Sequence, residues 1–321
     1  MKRSIFYVSH FTMVRTFVLT VFFLIFFTGS KARAQTSNEE ANLRQPTCIS
    51  TYYFGPNAFP VPDMLDGTVR KKLYVEFGGD YYKGWRGDVT RDVSLKVVLP
   101  LFSNKVNLSC WVPFEFWRNS ERNIKVCRLE HVTDRRLMKG NTIGDIYLST
   151  DLQVLSQQRH YVDCTARVAL KTASSYFYFL GRYYDSPGYF GDVSVGRTFK
   201  TSPGGFVCGV RLAVSTGFLC WQTDNGRQDD AYMYGAQLQL LLAGGLKLAC
   251  TFGGYSGWEH SLANGTDAHD SPMTIKTDCE WNYKNWKVAA RVQHGLRDYP
   301  YNQLRLAVGY NISVFKKGNK R

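Results

Sequence analysis

From Lys72 onward the chain alternates apolar and polar residues with a period of two, over runs far longer than ordinary strands. The stretch 275–294, IKTDCEWNYKNWKVAARVQH, shows the pattern. Ile275, Thr277, Cys279 and Trp281 share one face, and Lys276, Asp278 and Glu280 share the other. The chain turns at Lys284-Asn285 and repeats the pattern, with Trp286, Val288, Ala290 and Val292 against Lys287, Arg291 and Gln293. Such alternation specifies a strand with two unlike faces. It predicts strands near 72–85, 88–102, 106–118, 144–155, 161–173, 188–200, 204–221, 229–243, 246–259, 272–283, 286–298 and 302–315. Most are 12 to 18 residues long. Strands of soluble proteins cluster near about 5–6 residues, whereas about 9–11 cross a hydrocarbon layer.

The connections carry a second signal. Every other one is tight: 103–105, 156–160, 201–203, 244–245 and 284–285. Those between are mostly longer: 119–143, 174–187, 222–228 and 260–271. This rhythm and an even strand count belong to barrels with short periplasmic turns and longer external loops. In lipid every backbone group must find a partner, so β-strands span only as a closed ring. The expected fold is therefore all-β: a transmembrane antiparallel β-barrel of about 12 strands over 72–315, with a basic tail at 316–321. Leu304, Leu306, Val308, Tyr310, Ile312 and Val314 of the last strand would face lipid, with Arg305, Asn311 and Ser313 inside. In 144–155, Ile146, Leu148, Leu152 and Val154 would face out, and Asp145, Asp151 and Gln153 in.

The N-terminus fits export. Lys2, Arg3 and Arg15 precede the apolar run TFVLTVFFLIFF, and Ala32-Arg33-Ala34 follows, which describes a cleaved signal peptide over 1–34. The run is too short for a spanning helix, which needs about 20 residues. Loss of five basic residues with the signal takes the formal charge from +14 to +9. An exported chain rarely meets nucleic acid, so the excess points to lipid phosphates. Arg118, Arg122, Lys125, Arg128, Arg135, Arg136 and Lys139 cluster at one long loop, which would face lipopolysaccharide.

The inward face is charged. By parity it holds Glu76, Asp80, Asp92, Glu115, Asp145, Asp151, Asp163, Asp192, Asp278 and Glu280 against Lys96, Arg167, Lys171, Arg211, Lys247, Lys276, Lys287, Arg291 and Arg305. The near balance suits a network of ion pairs filling a narrow barrel, or a charged pore lining that selects polar solutes.

Residues 35–71 precede the first strand. Pro56, Pro60 and Pro62 exclude a ladder strand there, while Tyr52, Tyr53 and Phe54 are too apolar for a free tail. With an even strand count the segment starts from the periplasmic side. It either folds up into the lumen as a plug or packs across the periplasmic rim.

Eight cysteines in an exported chain suggest disulfides. Cys110, Cys164, Cys208, Cys220, Cys250 and Cys279, however, sit in register with apolar neighbours and read as small hydrophobes. Cys48 and Cys127 lie outside the strand patterns, and whether they pair is left open. Asp267, His269 and Asp270 could hold a cation weakly or form a solvated loop; no cofactor or metal cluster is indicated.

The Ala34-Gln35 junction and the segments YFGPNAFPVPDMLDG (53–67), GDIYLSTDLQVL (144–155), ALKTAS (169–174) and LRLAVGYNISVF (304–315) resemble bacterial outer-membrane β-barrel proteins, in particular Bacteroidetes-type, porin-like ones. The resemblance spans 48–315 and implies an outer-membrane location, contact with outer-membrane lipid and insertion by the outer-membrane assembly machinery. Such barrels often end on an aromatic residue, but here Phe315 is followed by KKGNKR. The leading expectation is a passive channel for small polar solutes; a non-conducting structural or assembly-partner barrel is the alternative. Twelve-stranded barrels also include phospholipase A and lipid A deacylase families, so a lipid-modifying enzyme is the third. The phospholipase pattern places Ser two residues after His, but His260 and Ser261 are adjacent and would face opposite sides of a strand. A nucleophile and its base must share a hydrogen bond.

Overall fold

The computed structural model describes residues 50–101, 105–127, 129–175, 180–185, 187–201, 205–222, 228–258 and 267–313. The signal segment, Cys48, the His260-Ser261 pair and the basic tail lie outside the described residues.

The strands are β1 (Leu73–Gly84), β2 (Val89–Leu101), β3 (Val106–Arg118), β4 (Lys139–Ile143), β5 (Tyr147–Leu155), β6 (Asp163–Lys171), β7 (Gly188–Lys200), β8 (Val207–Gln222), β9 (Gln228–Leu242), β10 (Leu246–Gly257), β11 (Met273–Tyr283), β12 (Trp286–Arg297) and β13 (Tyr301–Ile312). Sequential strands pair antiparallel, and β1 pairs with β13 from Leu73↔Ile312 to Gly84↔Tyr301, which closes the sheet. β4 and β5 are two pieces of one arm. β4 pairs with the Phe114–Arg118 half of β3, and β5 with the Val106–Trp111 half. The ring is thus a closed antiparallel barrel of twelve arms.

The break in the fourth arm has a physical cause. The Pro113 carbonyl accepts from Gly144 N–H at 2.9 Å, so its backbone polar side faces this arm. Proline has no N–H to return. Three residues, Gly144 to Ile146, bypass the gap. The expectation that 119–143 is all loop is corrected accordingly. It holds a short helix α1 (Glu121–Val126), capped by the Ser120 side chain, a single 3-10 turn at Arg135–Leu137 and the strand β4.

The alternation is realised as facing. Phe77, Val168 and Leu306 are 64%, 69% and 61% exposed on the outer face, while Glu115 and Lys171 are fully buried inside. A soluble protein would not present such a girdle of apolar side chains to water. Among the strand cysteines, Cys208, Cys250 and Cys279 are exposed, Cys110 and Cys220 are buried, Cys164 is half-buried, and none of these six forms a disulfide among the described residues.

One end of the barrel carries tight turns, such as Ala243–Gly245 and 284–285; the other carries the longer connections. At the loop end Trp117, Ile124, Leu137 and Leu180 form an apolar cap. The main apolar cluster lies inside the ring. There Phe54, Phe59 and Val61 pack against Tyr82, Phe190, Leu219, Trp221 and Tyr299.

Candidate functional site: a threaded lumen

A twelve-stranded ring encloses more space than its own side chains fill, since eight strands already leave an interior just wide enough for packing. Residues 50–72 occupy that space. Their prolines bar ladder pairing, and none of them forms a strand. The segment runs the length of the lumen. At the loop end the Tyr52 carbonyl accepts from Arg86, the Tyr53 carbonyl from the Cys127 thiol at 2.8 Å, and Gly55 N–H donates to the Gly181 carbonyl at 2.9 Å. Gly55 is needed there because a Cβ would stand 2.7 Å from the Arg182 carbonyl oxygen. At the turn end Gln153 bonds both Val69 N–H and the Gly67 carbonyl, and Lys72 reaches Asn285. Gly67 takes a φ of 91° as the chain bends toward β1.

Residues 35–49, where the segment begins, lie outside the described residues; Ser50 lies among the loops, at the opposite end from the start of β1. Phe54 is buried, and Pro56 and Pro60 sit with it inside the ring. Tyr301 and Tyr299 donate to the carbonyls of Phe54 and Pro56, at 2.8 and 3.2 Å. Tyr52 and Tyr53 are only half-buried at the mouth. Tyr52 stacks on His269, with centroids 4.0 Å apart, and lies 4.0 Å from the Arg86 guanidinium. Pro62 is half-buried.

The charges drawn from strand parity face one another inside. Arg167 meets Asp192 at 2.6 Å, Lys171 meets Asp145 at 2.7 Å, and Arg211 meets Asp163 at 3.0 Å. Glu280 joins Lys247 and Lys287, both at 2.8 Å. Arg305 bridges Glu76 at 3.0 Å and Asp80 at 2.5 Å. Lys96 stands opposite Glu76 in the β1–β2 ladder, and Asp151 opposite Arg167 in the β5–β6 ladder. Asp151 also accepts from Ser149 at 3.1 Å. Asp278 takes Arg291 at 2.7 Å.

Four partners were not identified from parity. Asn57 of the threaded segment donates to both Asp92 and Glu115, at 2.7 and 3.0 Å, and so bridges two buried carboxylates. Asp63 receives Lys276 at 2.7 Å and Arg291 at 2.8 Å. The Asp66 carbonyl accepts from Arg211 at 2.6 Å. Arg182, from the 172–187 loop, turns inward onto Glu115 at 2.8 Å. None of them lies on a strand, so no alternation could mark them. Burial of so many charges is tolerated because nearly every one meets an opposite charge or a hydrogen bond.

The loop residues near 267 hold a different arrangement from a cation site. His269 Nδ1 lies 3.0 Å from Asp298 Oδ1. Among the described residues no group of His, Cys, Asp and Glu is placed to hold a metal.

No family model matches the chain, and no curated protein matches it in sequence. Solved structures match it in fold. An outer-membrane channel from Pseudomonas putida F1 superposes with a TM-score of 0.53 at 11% identity, over 78% of this chain and all of that one. The NanC porin matches at 0.45 and 12% identity, over 74% of this chain and 98% of the porin. The transport unit of the autotransporter AIDA-I from Escherichia coli matches at 0.45 and 9% identity, over 76% and 91%. The likeness to the Pseudomonas channel is one of fold: the chain has the architecture of an outer-membrane barrel.

Proposed function

We propose that the chain is an exported barrel of the bacterial outer membrane, of the Bacteroidetes-type porin-like kind, that serves as a gated channel for small polar solutes. Its own residues 50–72 are the gate. The observation that carries this reading is the contrast between wall and filler. The wall is a complete hydrogen-bonded ring that closes on itself without the segment. The segment adds no strand and crosses the lumen end to end. The ring therefore keeps its backbone pairing when the segment leaves, and a charged, water-compatible lumen opens. The exposed apolar girdle supports insertion in lipid, with lipid and lipopolysaccharide as its surroundings and the assembly machinery as its route there. No enzyme role is part of the proposal.

The many polar ties of the segment favour one second reading, a permanently sealed structural barrel. Planar-bilayer recordings separate the two. The full chain should conduct little, and a variant lacking residues 50–66 that still shows the heat-dependent gel shift of a folded barrel should conduct several-fold more. The full chain should also show brief openings to that same conductance; a full chain with no openings beside a conducting deletion variant would select the sealed barrel.

A further inference from the structure

Most luminal cations are answered from within the barrel, by strand carboxylates or by residues close to them. Arg167 has Asp192, Lys171 has Asp145, and Arg305 has Glu76 and Asp80. One place differs. Lys276 on β11 is buried, its side chain 7% exposed, and its ammonium donates to Asp63 at 2.7 Å and to the Val61 carbonyl at 3.2 Å. Both acceptors belong to the threaded segment. Beside it, one guanidinium nitrogen of Arg291 donates to both Asp63 oxygens, at 2.9 and 2.8 Å, while Nε holds Asp278. Asp63 itself is half exposed, at 49%. The cations are thus fixtures of the wall, and the carboxylate that satisfies them lies on the threaded segment.

The geometry points to Lys276 and Arg291 as a binding site for the oxyanion of a small solute, with Asp63 as its built-in stand-in. This rests on the gated-channel reading and adds the solute class, a carboxylate- or phosphate-bearing anion. The chemistry follows from the contacts. Without Asp63, Arg291 keeps Asp278, while Lys276 keeps no carboxylate within ion-pair distance among the described residues. An ammonium and a guanidinium side by side favour an oxyanion that accepts from both. Beside Lys276 a small pocket lined by Pro62, Met64, Arg167, Asp192 and Thr251 leaves room for about a water-sized group. Occupation by an external anion and occupation by Asp63 exclude each other, so solute binding and release of the segment are coupled.

Chemical rescue tests the site without relying on conduction. In Asp63→Ala the two cations lose their partner and leave a small hole. Purified full-length Asp63→Ala should lose heat stability. Sodium acetate should restore most of the loss, and sodium chloride at matched ionic strength should not. A parallel arm with inorganic phosphate shows which oxyanion the site prefers. Asp63→Ala/Lys276→Gln should show no rescue by either. If Asp63→Ala does not fold, the refolding yield with and without acetate is read in the same way. Absence of rescue by both anions, or equal rescue of the double variant, overturns the site. Rescue of a barrel that stays silent in a bilayer leaves the site standing and overturns the channel reading instead.

Discussion

Arg182 and Glu115, 67 residues apart in the chain, meet inside the barrel with guanidinium Nε and Nη2 each 2.8 Å from one carboxylate oxygen. A loop residue thereby closes on a strand residue, and both are almost fully buried. Arg182 also donates to Thr90, and Asn57 reaches the other oxygen of Glu115. Wall, loop and threaded segment meet at this one carboxylate.

Replacing Arg182 with Gln should therefore cost far more than a surface charge would. Removing one partner of a buried pair leaves the other uncompensated, at about 3–5 kcal/mol. Urea unfolding in detergent should show that loss, and limited proteolysis should find the 172–187 loop newly open to cleavage. A variant as stable as wild type would show that Glu115 is satisfied without the loop.

The facing of β13 predicts an asymmetry. Val308 is 47% exposed on the apolar outer surface, in the middle of the strand. Ser313 is exposed just past the last ladder residue. Val308→Arg should lose about 2–4 kcal/mol, as a charge at the bilayer midplane does, and Ser313→Arg much less. Folding yields into liposomes measure the difference; equal yields would contradict the assigned face.

Cys127 reports on the threaded segment. Burial against the Tyr53 carbonyl pushes its thiol up to about 11. The thiolate is the reactive form, and an unperturbed thiol ionises near about 8.5. In a variant with the other seven cysteines replaced, maleimide should label Cys127 slowly through the weakly alkaline range, accelerating only toward the raised value. The same protein lacking residues 50–66 should label quickly near pH 8. Identical rates would mean that the segment does not cover the sulfur.

Orientation is the last expected outcome. Cysteine tags in the connections 119–138 and 258–272 should react on intact cells. Tags at Gly244-Gly245 or Lys284-Asn285 should react only after the outer membrane is opened. Reversed accessibility would invert the barrel.

Much of the ring was legible because a strand's period leaves no freedom. Once Trp286 and Val288 face lipid, Lys287 must face the lumen, where it meets Glu280. The fourth arm was half hidden because Lys139–Ile143 carries a glycine, an asparagine and no apolar alternation. Its partner β3 places it, not its own sequence. The luminal ion pairs were legible as a balance of sign but not as partners, since pairing depends on register. Asp63, Asp66 and Asn57 were missed as site residues for another reason. They sit in a proline-rich stretch with no period, where the aromatics signal burial and nothing signals the facing of a charge. Arg182 had no local signal at all, because only the fold of its loop brings it to Glu115.

The route of residues 50–72 also limits how such a barrel can come into being. Ser50 stands at one mouth, Leu73 at the other, and the β1–β13 seam makes a hoop between them. A finished hoop admits a strand of polymer only end-on, through a bore already crowded with locked charges. The simpler order of events is that the sheet curls around the segment and the seam zips shut afterwards. Registry of Asn57 and Asp63 with their wall partners would then be set before closure, and the seam would be the slow, final step of maturation. A ring that zipped first would be the empty, open barrel, and the segment would have to enter it afterwards.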